Sequence, residues 1–87
     1  MGRISLVIAL SLVSGIAFAG ANCPKYPKSE WMKESDAKAK IAEQYNIKKF
    51  KVDGDCYEIY GTTKDGKKAE VYFDPKTLAV VKSEIAK

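Results

Sequence analysis

The chain has 87 residues, with 15 lysines and arginines, 11 aspartates and glutamates and no histidine, and its formal net charge is +4. This length allows one small domain, and the missing histidine excludes a histidine-based catalytic triad and removes the commonest metal ligand. A dedicated nucleic-acid-binding domain usually carries a stronger and more clustered excess of basic residues. Composition therefore favours a small binding or structural domain over these classes.

A cleavable signal peptide is predicted over residues 1–19. Arg3 precedes the uncharged run 4–17, and a site with small side chains ends at Ala19. That order is typical of export signals. The run approaches the roughly 20 apolar residues of a membrane-spanning helix, but its serines and the cleavage site favour removal. We expect cleavage between Ala19 and Gly20, which leaves 68 residues (87 − 19) in the periplasm or outside the cell.

Cys23 and Cys56 are the two cysteines of the sequence. An even number of cysteines in an exported chain points to a disulfide bond. A bond between them would enclose 32 residues (56 − 23 − 1). Closing a loop of that length stabilises a fold by about 4 kcal/mol, which is comparable with the whole stability of so small a domain. A redox-active pair would more typically occur as C-x-x-C, so we predict a structural bridge.

The mature chain divides into an extended arm, residues 20–28, and one domain, residues 29–87. The arm contains Pro24 and Pro27. Each proline restricts its own backbone and that of the residue before it, and the pair disfavours a helix here. We therefore expect the arm to lie outside the regular secondary structure of the domain.

A helix is predicted next. Ser29 or Ser35 is a candidate N-cap, because a serine oxygen accepts a hydrogen bond from a free amide of the first turn. Ala37, Ile41 and Tyr45 then recur at intervals of four residues. This spacing indicates an amphipathic helix with a narrow apolar stripe.

The remainder has the pattern of antiparallel strands joined by tight turns. Apolar and polar residues alternate before and after Asp-Gly turns, and a third turn carries Asp-Pro. The strand patterns lie at 49–53, 56–61, 68–73 and 78–85. We predict an α+β fold in which one N-terminal helix packs on a three- or four-stranded antiparallel meander sheet.

The acidic residues give little support for catalysis, and neither a cofactor nor a metal is predicted. Asp53 and Asp55 flank Gly54 in a predicted turn, where exposed carboxylates are ordinary turn residues. A calcium loop of the EF-hand type would need further acids at fixed spacing. We expect no catalytic residues and therefore no enzyme.

Tyr60 and Tyr72 are the candidate partner-binding residues. If Ile59 and Val71 lie under the helix, strand alternation sends both tyrosines to the opposite face of the sheet. Tyrosine anchors many protein interfaces. The alternative is that they pack against the arm carrying Cys23 or against lysine stems.

The second half of the chain resembles the PepSY domain family, in particular its small, secreted, single-domain members. The resemblance rests on the segments Cys56–Gly61, Asp65–Lys67 and Glu70–Thr77, with Trp31 ahead of them. One departure is Leu78, where the family commonly has glycine after the threonine, so we expect the final turn to be built differently.

This resemblance implies one helix on a small antiparallel sheet in a bacterial envelope protein, and it suggests regulation or inhibition of proteases. The predicted function is thus a non-catalytic periplasmic or secreted binding module with a protein partner in the envelope, for which a protease is the leading candidate. The alternative is a structural or membrane-surface-associated envelope protein that uses its lysines on anionic lipid. No nucleic acid and no stable membrane anchor after cleavage are expected, and the oligomeric state is left open.

Overall fold

A computed structural model describes residues 20–87 of the chain. The predicted signal peptide and Ala19 lie outside the described residues, so the cleavage site stays a prediction. Within the described part, no helix combines the length and the apolar character needed to cross a membrane.

The described chain begins with the extended arm and then forms a short helix and a sheet. A 3-10 turn at Lys28–Glu30 is followed by helix α1 at Glu34–Ile41. The strands are β1 Tyr45–Asp53, β2 Cys56–Thr63, β3 Lys68–Phe73 and β4 Val80–Ile85. They pair antiparallel in chain order, which gives a four-stranded meander.

The prediction of an N-terminal helix is wrong, although the α+β class broadly fits. Helix α1 begins only at Glu34, after the arm and the 3-10 turn, and it has eight residues. The reason lies in the preceding segment: its prolines hold extended backbone and a disulfide ties it to the sheet. That segment therefore covers the sheet instead of lengthening the helix.

The bounds of α1 also differ from the expected ones. Tyr45 is the first residue of β1, so the apolar stripe of the helix is limited to the buried residues Ala37 and Ile41. No side chain of residues 20–87 caps the helix at its N-cap, Lys33, and neither Ser29 nor Ser35 has the predicted capping role. A helix this short depends on packing against the sheet for its stability.

Three tight turns connect the strands. Gly54 and Gly66 adopt φ angles of 61° and 92° in the two hairpin turns, where a side chain would be strained. In the third turn, Asp74 Oδ1 accepts backbone N–H hydrogen bonds from the residues two and three positions later, at 2.8 and 3.1 Å. Leu78 then takes a φ of 65°. Leu78 thus adopts the positive φ that glycine usually takes, at the position where the sequence has leucine instead of glycine.

The hydrophobic core lies between α1 and one face of the sheet. Its buried members are Ala37, Ile41, Tyr57, Ile59, Ala69, Val71 and Phe73. Trp31 closes one end: its ring meets Tyr57 edge to face at 5.2 Å and its indole N–H donates to the Tyr26 carbonyl. Trp31 is thus a plug between the helix segment and the sheet.

Candidate functional site

The sheet has a second face, opposite α1, which we call the rear face. The disulfide between Cys23 and Cys56 fastens the arm to this face, and the two Cα atoms are 5.4 Å apart. Cys56 is fully buried beneath the arm. The predicted bridge is confirmed, and it determines which face of the sheet the arm crosses.

Further contacts hold the arm on either side of the disulfide. The Gly20 N–H donates to the Tyr72 hydroxyl at 3.2 Å, and Lys82 Nζ donates to the Gly20 carbonyl at 3.1 Å. At the other end, the Tyr26 hydroxyl donates to Asp74 Oδ2 at 2.9 Å. The arm therefore covers the part of the rear face nearest the disulfide.

The two candidate tyrosines differ in exposure because the arm covers only part of the rear face. Tyr72 is only 3% exposed, so of the two possibilities the packing against the arm applies to it. Tyr60 is 38% exposed, and Lys51 Nζ lies 5.7 Å from its ring centroid. Of the pair, Tyr60 alone is available to a partner.

A pair of carboxyl groups, Glu58 and Glu70, lies between these tyrosines and was not singled out in the sequence. Glu58 is 1% exposed, and its Oε2 atom has no hydrogen-bond partner among the described residues. Glu70 accepts a hydrogen bond of 3.0 Å from the Tyr72 hydroxyl. The alternation that places the two tyrosines on the rear face places both glutamates there as well, so the sequence pattern could have identified the cluster. In the sheet, Glu58 pairs with Tyr72 and Tyr60 pairs with Glu70.

The two carboxyl groups have opposite pKa shifts. Burial raises the pKa of Glu58, whereas hydrogen bonding with Glu58 lowers the pKa of Glu70. Lys51 Nζ lies 3.9 Å from Glu58 Oε1 and partly offsets its burial. Such a pair favours one shared proton, because two adjacent carboxylates cannot both ionise without cost.

The tyrosine hydroxyls take part in this cluster as donors. Hydrogen bonding to Glu58 and Glu70 raises the pKa of Tyr60 to about 12. Burial, followed by hydrogen bonding to Glu70, raises the pKa of Tyr72. Both hydroxyls therefore remain protonated at neutral pH and act as hydrogen-bond donors.

The carboxylates of the first hairpin turn, Asp53 and Asp55, were also considered as candidate site residues. Asp55 forms an exposed ion pair with Lys25 at 3.5 Å. Asp53 and Asp55 flank Gly54 in the first hairpin turn, as predicted. In residues 20–87 no group of three or more histidine, cysteine or acidic side chains is arranged to hold a metal ion.

An open groove of about 1030 Å³ runs across the sheet at the end remote from the disulfide. Residues from all four strands line it, and they include Tyr60, Glu70 and Glu84. The half-exposed tyrosine thus stands beside a concave surface with acidic groups. This combination suits recognition of another molecule better than it suits a reaction, because an interface needs anchors and complementary charge.

Comparisons with known proteins give one family. No curated protein and no solved structure matches the chain. The model of the PepSY_2 family, described as peptidase propeptide and YPEB domain, matches residues 3–84, nearly the whole chain. The chain therefore belongs to the PepSY_2 family of peptidase propeptide and YPEB domains.

Proposed function

We propose that the chain is an exported, non-catalytic binding module that regulates a peptidase by direct contact. The family supports this class, since its description is that of a peptidase propeptide domain. The observation that carries the proposal is Tyr60, a half-exposed tyrosine beside the groove of the rear face.

Tyr60 has the physical properties of an interface anchor. Its ring offers a large apolar area with few rotatable bonds, and its hydroxyl is oriented by the neighbouring carboxyl groups. Lys51 lies over the ring, and Glu84 lies at the rim of the groove. A partner segment with an apolar residue and a basic group would fit this surface.

The test measures inhibition and binding of candidate envelope peptidases by the oxidised protein, comparing Tyr60→Ser with Val52→Ser. The two side chains are matched in exposure, at 38% and 40%, and they lie on opposite faces of neighbouring strands. We expect Tyr60→Ser to weaken binding by at least about thirtyfold, a hot-spot effect, and Val52→Ser to have little effect.

Salt dependence separates this function from attraction to lipid. A tyrosine-anchored contact should persist as the salt concentration rises, whereas attraction of lysines to anionic vesicles should weaken strongly. Equal effects of the two serine variants, or vesicle binding that disappears with salt while no peptidase responds, would contradict the proposed function.

A further inference from the structure

Gly20, the residue that follows the predicted cleavage site, is held on the rear face through both of its backbone groups. Its nitrogen donates to the Tyr72 hydroxyl, and its carbonyl accepts from Lys82. A Cβ on Gly20 would lie 3.7 Å from Asp53 Oδ2, so that carboxylate is a near neighbour. Tertiary contacts therefore determine where the Gly20 nitrogen lies.

The Gly20 nitrogen is separated from the carboxyl pair by a single hydroxyl group. The Tyr72 hydroxyl accepts from Gly20 and donates to Glu70 Oε2 at 3.0 Å. Glu70 interacts in turn with Glu58, whose Oε2 atom is buried without a hydrogen-bond partner among residues 20–87. Lys51 lies near the other oxygen of Glu58, Oε1, at 3.9 Å, so Oε2 is the atom whose burial is costly without a further donor or positive charge.

Acidic and basic groups are interspersed on the rear face. Strand register places four carboxyl groups and four lysines there, with the hydroxyls of the two tyrosines among them. The charged groups are Lys49, Lys51 and Asp53 on β1, Glu58 on β2, Lys68 and Glu70 on β3, and Lys82 and Glu84 on β4. The lysines therefore equal the carboxyl groups in number, and the groups nearest the Gly20 nitrogen, Asp53, Lys82 and, through Tyr72, Glu70, decide its electrostatic surroundings.

We propose that the α-amino group of Gly20, created by cleavage after Ala19, docks as an ammonium ion on Tyr72 and places a positive charge beside the Glu58–Glu70 pair. The proposal rests on the predicted cleavage. In the uncleaved chain the same nitrogen is a neutral peptide N–H with one donor. The ammonium ion has three donors, and charge-assisted hydrogen bonds are about twice as strong as neutral ones.

Processing would therefore close the arm on the rear face. The mature protein would hold Tyr72 buried beneath Gly20 and leave Tyr60 as the accessible tyrosine. Because the carboxyl group of Asp53 lies close and that of Glu70 is joined to Gly20 through Tyr72, the charged amine is favoured, and its pKa should lie above the ordinary range for a terminal amine, about 7.7 to 8.0. The associated stability should be complete below that range and should be lost as the pH rises through the folded-state pKa.

The experiment titrates Gly20 in the exported, processed and oxidised protein. Isotope-labelled glycine lets NMR follow the Gly20 carbons, which report the charge of the adjacent amine. We expect a midpoint at least about one pH unit above that of the urea-unfolded chain, a tenfold preference for the ammonium ion. Acetylating the amine should speed hydrogen exchange at Ala21 and should remove the loss of stability above neutral pH.

Glu70→Gln and Glu43→Gln are the matched variants. Both remove one negative charge with little change in shape, but Glu43 is exposed in the turn after α1. Glu70→Gln should return the midpoint towards the unfolded value, and Glu43→Gln should not. The proposal is overturned if exported protein does not begin at Gly20, if Gly20 titrates as in the unfolded chain, or if both variants shift the midpoint equally.

Discussion

The Tyr26 hydroxyl donates a hydrogen bond of 2.9 Å to Asp74 Oδ2, which joins the arm to the turn between β3 and β4. These residues are 48 positions apart in the chain. This bond adds to the disulfide and to the Gly20 hydrogen bonds that attach the arm to the sheet. The packing of the arm should therefore respond to changes at Tyr26 as well as at the cysteines.

Tyr26→Phe should lower the denaturant midpoint, because the aromatic packing remains while Asp74 loses a donor. Tyr45→Phe is the control, since the Tyr45 hydroxyl makes no hydrogen bond within the described part of the chain. Equal midpoints for the two variants would show that the Tyr26–Asp74 bond contributes nothing.

The lowered pKa of Asp74 predicts that the stability of the fold falls in acid. Burial raises its pKa, but hydrogen bonds from the backbone N–H groups of Lys76 and Thr77 and from Tyr26 outweigh burial and lower the pKa. Folding then depends on the ionised form, so its stability contribution is present above the ordinary value of 3.8 and is lost as the pH falls through the folded-state pKa.

Asp74→Asn should reduce the slope of stability against pH below about 4, measured by urea melts at a series of pH values. Glu43→Gln, at an exposed position, should leave that slope unchanged. An unaltered slope in Asp74→Asn would assign the acid sensitivity to other carboxyl groups.

Removing the disulfide should destabilise the domain. The Cys23→Ser and Cys56→Ser double variant should lose about 2–5 kcal/mol of unfolding free energy, the usual effect of losing a native bridge in a small domain. Denaturant melts of the oxidised protein and of the double variant provide the measurement. Indistinguishable midpoints with equal slopes would show that the hydrogen bonds of the arm suffice without the bridge.

The two candidate tyrosines should differ in their effect on folding. Tyr72→Ser should cost about 3–5 kcal/mol, because it removes a buried aromatic ring and leaves a cavity under the arm. Tyr60→Ser should change stability little, since the ring is half-exposed. Thermal melts of both variants decide the matter, and a larger loss for Tyr60→Ser would contradict the position of the arm.

The fold leaves no room for a side chain at Gly61. A Cβ there would collide with the backbone carbonyl of Asn46, beside the irregularity in β1. Gly61→Ala should therefore destabilise by about 1–3 kcal/mol through overpacking. Gly54→Ala is the comparison, because nothing lies within 4 Å of its Cβ position and only its φ of 61° opposes the change. Equal losses in the two variants would show that β1 relaxes around the new methyl group.

Local patterns predicted the turns and strands well and the helix less well. Asp-Gly pairs marked both hairpins, because glycine tolerates the positive φ that such turns need. Tyr45 was misplaced, since its spacing from Ile41 fits a helix and its alternation with Ile47 fits a strand equally well. Packing of the Tyr45 ring against Phe73, with centroids 6.3 Å apart, favours the strand.

The sequence by itself determined the strand order, the disulfide and the division of side chains between the two faces. Turn chemistry, the cysteine pair and two-residue alternation are local or compositional signals, and they need no knowledge of distant packing. Only the tertiary structure decided what covers the rear face. Alternation sends Glu58, Tyr60, Glu70 and Tyr72 to the same side, but the path of the arm buries Glu58 and Tyr72 and leaves Tyr60 half-exposed. That path depends on contacts between residues about 50 positions apart, which no local pattern encodes.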